Sequence, residues 1–411
     1  MVYQPPAGAR DLLPLDVAQK HWIEERLQQV FHRWGYHRII TSTLERLDTL
    51  MAGGAIQRST VIQIKDGQEE ELGLRPELTA SIARTAVTRM AGTTYPQRLY
   101  YNANVFYRTC ESSHNQQQEF YQAGVELLGG GGTLADAEVL LLLAECLNQL
   151  GLHEWRLILG EAGIARSLLS SFPPAVQNSV RDCIAHLDRV SLETLPLSDE
   201  LLQRALFMLD LRGHPADVLQ HITKLDLETP QLEALNHLKS LVELLDRGIA
   251  GLGGVTKNFP LILDLSLIHT FNYYTGIVFE VASEIENQPR ILGQGGRYDQ
   301  LLGLFHPQGK NIPGIGFVLN IEDLHQVLLS THRLPQTTPV SNWLIVPEAP
   351  QAYAAAFAYA EKLRNSTHLV RVEMDLGDRD SNAIREYARS RRIQQIAWIK
   401  VDGLPSIELL T

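Results

Sequence analysis

The sequence predicts an α+β chain: a largely antiparallel sheet with helices, interrupted by a helical insertion, followed by a small C-terminal α/β domain. Three observations predict it. Strand texture dominates before about residue 160 and returns with "FPLILDLSLI". Between roughly 160 and 250 leucines recur at helical spacing and β-branched runs are scarce. A proline- and threonine-rich stretch, "THRLPQTTPVS" at 331–341, then separates a β-α-β-α-β pattern from everything before it. The expected domains are 1–330, carrying the insertion at about 160–250, a linker at 331–341, and 342–411.

Taken in order, residues 15–34 have helical periodicity through Val17, Trp22, Leu27, Val30, Phe31 and Trp34, with Asp16 placed as the N-cap. "GYHRIITSTLE" reads as a turn and a strand, and Tyr36, Ile39 and Ile40 suit a buried one. "TVIQIKDGQEEELGLRP" reads as a hairpin turning at Asp66-Gly67. "ELTASIARTAVTRM" is a helix, and "RLYYNANVFYR" and "EFYQAGVELLG" are strands. "TLADAEVLLLLAECLNQLG" is a helix with Thr133 as its cap and Gly151 as its stop. After the insertion, "NYYTGIVFEVA" is a strand, "GQGGRYDQLLG" reads as a glycine-rich turn on spacing alone, and "IPGIGFVLNIEDLHQVLL" follows. Beyond the linker, "NWLIVP", "HLVRVEMDL" and "QQIAWIKVD" are strands around helices at about 350–364 and 380–391.

Composition narrows the function. The chain has 411 residues, 45% hydrophobic and 20% charged, with a net charge of −11. Neutralising phosphates needs basic surface, so this balance argues against a nucleic-acid partner such as tRNA. Three widely spaced cysteines, Cys110, Cys146 and Cys183, point to a reducing compartment and away from disulfides or a cysteine-based zinc site. The first residues lack the apolar stretch of a secretory signal, and "VLLLLLAECL" is too short to span a bilayer. The expectation is a cytoplasmic protein with no membrane partner, no metal and no cofactor. No phosphate-binding lysine loop, nucleophile elbow or histidine pair at zinc spacing is present.

One stretch is out of the ordinary. "VFYRTCESSHNQQQEF" (105–120) joins two strands through a glutamine-rich segment with no glycine or proline and no lysine or arginine after Arg108. It is one of a set of ordered motifs: "GARDLLP", "WGYHRIITSTLE", "LRPELTA", "VFYR…EFYQAGVE", "LIHTFNYYTGIVFE", "GQGGRYDQLLG" and "IPGIGFVLNIEDL". Together these resemble the class II aminoacyl-tRNA synthetase catalytic core, specifically that of histidyl-tRNA synthetase. The C-terminal "VRVEMDLGDRDSNAIREYARSRRIQQIAWI" resembles a shortened form of that family's anticodon-binding domain.

The resemblance implies roles, and the departures from it are informative. Arg108 matches the motif 2 arginine, but Cys110 stands where the family has a glutamate that helps seat ATP. His269 occupies the position of the arginine at the reacting carboxylate and α-phosphate, and Asp323 that of the motif 3 arginine, with Asn320 replacing a glycine. A guanidinium is permanently charged and bidentate, whereas histidine near neutral pH is mostly uncharged and aspartate reverses the sign. Losing one preorganised charge-stabilising contact costs roughly 2.7–4 kcal/mol in comparable sites. The amino-acid side of the pocket is kept. Glu77 and Thr79 match residues that hold the substrate amino group, Gln122 and Glu126 residues facing the amino group and the imidazole, and Tyr274 and Tyr298 tyrosines lining the pocket. A hydrogen-bonded cluster of this kind can also simply order a core.

A pocket kept without its ATP-handling cations is the pattern of the non-catalytic paralogues that serve as regulatory subunits of ATP phosphoribosyltransferase. That resemblance implies a chain with no aminoacylation activity, a short-form catalytic subunit as partner, histidine as a ligand, and a homodimer. Ser42, where the family has a proline in the interface strand, departs from the pattern. An active histidyl-tRNA synthetase, another adenylate-forming paralogue and a tRNA-sensing module remain the competing readings.

Overall fold

The computed structural model describes residues 5–6, 8–54, 56–65, 70–108, 117–223, 227–249, 259–267, 274–285, 288–366, 369–377 and 379–410. The Asp66-Gly67 turn, Cys110 and His269 lie outside these residues. The chain forms two compact units, residues 1–335 and 336–411.

The first unit opens with α1 (Pro14–Arg33), which buries Gln19, Ile23, Leu27, Val30 and Phe31 along one stripe. Asp16 is not its N-cap. The cap is Leu13, Pro14 takes the first helical position, and the Asp16 carboxylate reaches back to accept the Leu13 N–H at 2.9 Å. Gly35, at φ +77°, ends the helix, and the Tyr36 N–H returns to the Phe31 carbonyl at 3.0 Å. Next come β1 (His37–Arg38), β2 (Leu44–Arg46), α2 (Leu47–Met51), β3 (Gln63–Lys65) and β4 (Glu71–Leu74). Strands β2, β4 and β3 form a small antiparallel sheet. Ile40 is 78% exposed in the single chain, because it lies just beyond a two-residue edge strand.

Helix α3 (Thr79–Thr88) leads to two ten-residue antiparallel partners, β5 (Gln97–Phe106) and β6 (Glu119–Leu128). Helix α4 (Gly132–Leu150) is capped by Gly131 rather than Thr133, and Gly151 at φ +77° stops it. After β7 (Trp155–Glu161) comes the helical stretch: α5 (Ala162–Ser170), α6 (Pro174–Ala185), α7 (Arg189–Thr194), α8 (Asp199–Asp210), a two-residue β8 (Arg212–Gly213), α9 (Pro215–Ile222) and α10 (Thr229–Ile249). The chain returns to the sheet through β9 (Leu261–Asp264), β10 (Ile277–Ile285), β11 (Gln288–Arg297), α11 (Leu301–Phe305), β12 (Gly314–Asn320) and α12 (Ile321–Leu329). The large sheet has nine strands in the order β1-β5-β6-β12-β11-β10-β7-β9-β8. Its pairs are antiparallel except β1–β5 and β7–β9.

The central strands explain the site. On β6, Ala123, Val125 and Leu127 enter the main core, as do Ile315, Phe317 and Leu319 on β12. The alternate residues, Gln122, Glu126, Gly316 and Asn320, therefore share the other face. The "GQGG" glycines lie inside β11 and are not a turn. A Cβ on Gly293 would lie 2.3 Å from the Val318 carbonyl oxygen, and one on Gly296 would lie 2.7 Å from the Tyr274 ring. Backbone and ring approach too closely there for any side chain.

The second unit runs β13 (Trp343–Pro347), α13 (Tyr353–Arg364), β14 (Val372–Met374), α14 (Ser381–Ser390), β15 (Gln395–Ile399) and β16 (Pro405–Leu409). Its sheet order is β14-β13-β15-β16. The first three strands are parallel, and helices cover small cores on both faces. The antiparallel edge strand β16 is not in the sequence reading. Its alternation carries little signal, because Ile407 and Leu409 stay exposed.

A buried ion pair ties α4 to the end of β11. The Arg297 Nε donates to Asp136 Oδ1 at 2.9 Å, and their side chains are 6% and 0% exposed. Removing one partner of such a pair strands a charge in the interior. Arg297→Met is expected to destabilise the first unit by about 3–5 kcal/mol in urea unfolding, and the Arg297→Met/Asp136→Leu double variant to recover most of the loss.

Candidate functional site

A cavity of about 530 Å³ opens on the polar face of β6, β12 and β11. Glu77, Thr79, Gln122, Glu126, Tyr274 and Tyr298 all line it, together with Asn320 and Asp323. The fold thus gathers residues from 77 to 323 on one wall. Arg108 stands apart: it is exposed, it is not a lining residue, and its N–H is spent on the Thr60 carbonyl at 2.9 Å.

Glu126 is the centre of the site. It is 2% exposed, the Thr79 hydroxyl donates to its Oε1 at 2.8 Å, and the Tyr298 hydroxyl donates to its Oε2. Gly316 lies directly opposite across the β6–β12 pair, where a Cβ would fall 2.0 Å from Glu126 Oε2. Burial pushes the Glu126 carboxyl up to about 8, and the nearby Glu77 charge adds to this, against the bonds from Tyr298 and Thr79. The group is therefore largely protonated at neutral pH.

Glu77 does a second job. Its carboxylate accepts the N–H groups of Thr79 and of Ala80, the latter at 3.0 Å, at the start of α3. Burial raises its pKa, and those N–H bonds oppose the rise. Gln122 donates its amide to Asn320 Oδ1 at 3.3 Å. Tyr274 lies over Gly296, and its carbonyl accepts from Arg166 at 2.8 Å.

The outer part of the cavity carries Glu280, Gln294 and Asp323, with Thr60, Ile56 and Ile291. Among the described residues, no lysine, arginine or histidine lines it. Asp323 does not stand alone: Arg290 Nη1 donates to its Oδ1 at 2.7 Å, which the sequence reading does not foresee. Two more wall residues were also missed. Tyr101 is 2% exposed, and burial holds its phenol well above the usual range. Tyr107 stacks on Phe120 at 4.4 Å, and burial followed by the charges of Glu322 and Asp323 pushes its phenol up to about 12. Period-two alternation along "RLYYNANVFYR" is the signal that puts Tyr101 on the face of Val105, away from Tyr100.

The described part of this wall has carboxyl groups, hydroxyls and amides and no fixed cation. Such groups suit a small ligand bearing N–H donors or positive charge better than a phosphate. Among the described residues no group of acidic, histidine or cysteine side chains could hold a metal ion, and no helix is long and apolar enough to cross a membrane.

Known proteins of this kind exist. The family model for histidyl-tRNA synthetase matches residues 8–324. The ATP phosphoribosyltransferase regulatory subunit of Nostoc punctiforme is 71% identical over 410 residues, covering 100% of both chains. That of a Cyanothece species is 62% identical and covers 99% of both. Among solved structures, an ATP phosphoribosyltransferase regulatory subunit/histidyl-tRNA synthetase from Bacillus halodurans superposes with a TM-score of 0.79 at 27% identity, covering 97% of this chain and 99% of the other. Apo Staphylococcus aureus histidyl-tRNA synthetase shares the fold at a TM-score of 0.70 and 23% identity, covering 100% and 97%.

The raised carboxyl makes a stability prediction. A group with its folded pKa above its ordinary value of 4.5 stabilises most below that value, and the contribution is lost as pH rises towards about 8. At neutral pH the loss is on the order of 3 kcal/mol. Glu126→Gln should therefore flatten the fall in urea-unfolding stability between about pH 5 and pH 8 and leave the ligand-free protein more stable at the upper end. An unchanged pH profile would refute the buried, protonated carboxyl.

Proposed function

The chain belongs to the ATP phosphoribosyltransferase regulatory subunits, within the histidyl-tRNA synthetase family, and from that premise we propose how it regulates. It acts as a histidine sensor for the first step of histidine biosynthesis. It activates a short-form catalytic subunit and makes that subunit responsive to histidine. It does not itself form an adenylate.

The observation that carries this reading is the contrast within one cavity. The inner wall offers Glu126 and Tyr298 to an imidazole and Gln122, Glu77 and Thr79 to an ammonium group. The outer wall, where a triphosphate would lie beside an amino acid, presents Glu280 and Asp323 and, among the described residues, no cation. Arg290 is committed to Asp323 and leaves little charge over for a phosphate. With Arg108 off the wall and His269 in place of a guanidinium, the reading assigns amino-acid recognition without activation. Coupling between histidine and the partner's substrates is then reciprocal. The same reading takes the chain as a cytoplasmic homodimer whose acidic balance disfavours tRNA.

The direct test is phosphoribosyl-ATP formation from ATP and phosphoribosyl pyrophosphate by the cognate short catalytic subunit, with and without this chain, under a histidine titration. Added chain should raise the rate and confer histidine inhibition. Glu126→Ala should keep the activation but weaken the histidine response at least about tenfold, the scale of losing a charge-assisted contact. Histidine-dependent pyrophosphate exchange by the chain alone would instead establish a synthetase.

Calorimetry across pH gives a second test. The bound state shares one proton between Glu126 and the imidazole. Free histidine loses its ring proton near about 6.5, and free Glu126 loses its own near about 8. Binding therefore releases a proton below the first value, moves none between them and takes one up above the second. Affinity should form a plateau between these values and fall on both sides. A steady rise in affinity beyond pH 8 would contradict the assignment.

A further inference from the structure

The helical insertion touches the cavity wall at two separate places. From α5, the Ala162 N–H donates to the Gly276 carbonyl at 2.9 Å, and Arg166 Nη1 donates to the Tyr274 carbonyl at 2.8 Å. From α10, His237 Nε2 lies 3.1 Å from Oδ2 of the fully buried Asp136. Asp136 Oδ1 is held by Arg297, the residue next to Tyr298. Arg297 in turn accepts the Thr275 N–H on its carbonyl at 2.7 Å. The chain segments bearing both wall tyrosines thus meet at Arg297, and both are gripped from the insertion.

The contact at His237 is incomplete. Asp136 Oδ2 and His237 Nε2 are within reach of each other but lack the alignment of a hydrogen bond. Among the described residues neither atom has another hydrogen-bond partner, although the Glu161 carboxylate also acts on His237. A buried carboxylate oxygen short of a directed donor is costly, so a small turn of α10 that aligned the pair would be favourable. A switch needs a second arrangement close in energy, which the misaligned pair leaves open. A ligand that drew the Tyr298 hydroxyl away from Glu126 would pull on the adjacent Arg297 and so on the Asp136 carboxylate facing His237.

We propose that the helical insertion is the element that reads occupancy of the cavity, with Arg297 and Asp136 as positioning residues for Tyr298 and His237 as the member that realigns. This rests on histidine being the ligand of that cavity. The bland alternative is a network that only anchors the insertion to the sheet. Such an anchor would not change with ligand.

The test uses the full-length chain with L-histidine as the probe, reading affinity by calorimetry and amide hydrogen exchange by mass spectrometry. In the wild-type chain, saturating histidine should slow exchange across 229–249. His237→Leu should abolish that response and weaken histidine binding by about fivefold, a typical coupling factor. His237→Gln, which keeps a donor, should retain both. If His237→Leu does not fold, Arg166→Met removes only the bond to the Tyr274 carbonyl and should reduce the same response. Histidine binding to the wild-type chain with no change in 229–249, or an undiminished response in His237→Leu, overturns the proposal. Absence of any histidine binding to the wild-type chain overturns the reading of the cavity, and the relay with it.

Discussion

Glu126 sits at 2% exposure on the polar face of β6, and separate parts of the first unit are shaped around its carboxyl group. Strand β12 supplies Gly316 opposite it, because no other residue leaves space for the carboxyl. Helix α3 begins where Thr79 can reach one oxygen, and β11 ends where Tyr298 can reach the other. Glu77 helps hold that start of α3 in place by accepting its first N–H groups. Burial of an ionisable group without a fixed cation nearby disfavours its charge. The empty site therefore holds a neutral carboxyl, and a ligand bringing positive charge or a proton acceptor to it would favour ionisation.

That one constraint separates the two halves of the cavity. Near Glu126 the demand is for a small donor-rich ligand. Further out, Glu280 and Asp323 would have to be overcome by an incoming polyphosphate. In a chain of net charge −11 no excess of positive potential is left over to do so. On the reading proposed above, a fold used elsewhere for adenylation serves here for recognition alone. Regulation then needs only that the filled and empty cavities differ somewhere a partner can feel. The wall carrying Tyr274 is bonded to the insertion through Arg166, and Arg297, next to Tyr298, pairs with the Asp136 that faces His237; the relay proposed above would use this route.

Much of the fold was legible because its strands alternate. In the middle of β6 and β12, Ala123, Val125, Leu127, Ile315, Phe317 and Leu319 face the main core, while Gln122, Gly124, Glu126, Gly316 and Asn320 face away from it. The helical texture of the insertion and the break near 331–341 were equally plain in the leucine spacing and the prolines. The errors have local causes. The β11 glycines looked like a turn because glycine is ambiguous between turn and close packing, and only the neighbouring strand's carbonyls decide between them. Asp16 and Thr133 were placed one to three residues from the true caps, since several residues near a helix start can satisfy the same N–H groups. Ile40 looked buried by type, but it lies past the end of an edge strand.

By itself the sequence determined the residue types at the site, a histidine at 269 and an aspartate at 323 among them, and the period-two spacing that sets Gln122 and Glu126 on one face of a strand. Those properties are local: they follow from covalent identity and from period-two geometry. Only the tertiary structure decided that Arg108 stands off the wall, that Arg290 partners Asp323, and that His237 on α10 meets Asp136 on α4. Each of these depends on two elements far apart in the chain arriving side by side. Burial also exists only once the sheet and helices have closed over a group, so the shift of Glu126 to about 8 belongs to the fold rather than to the residue.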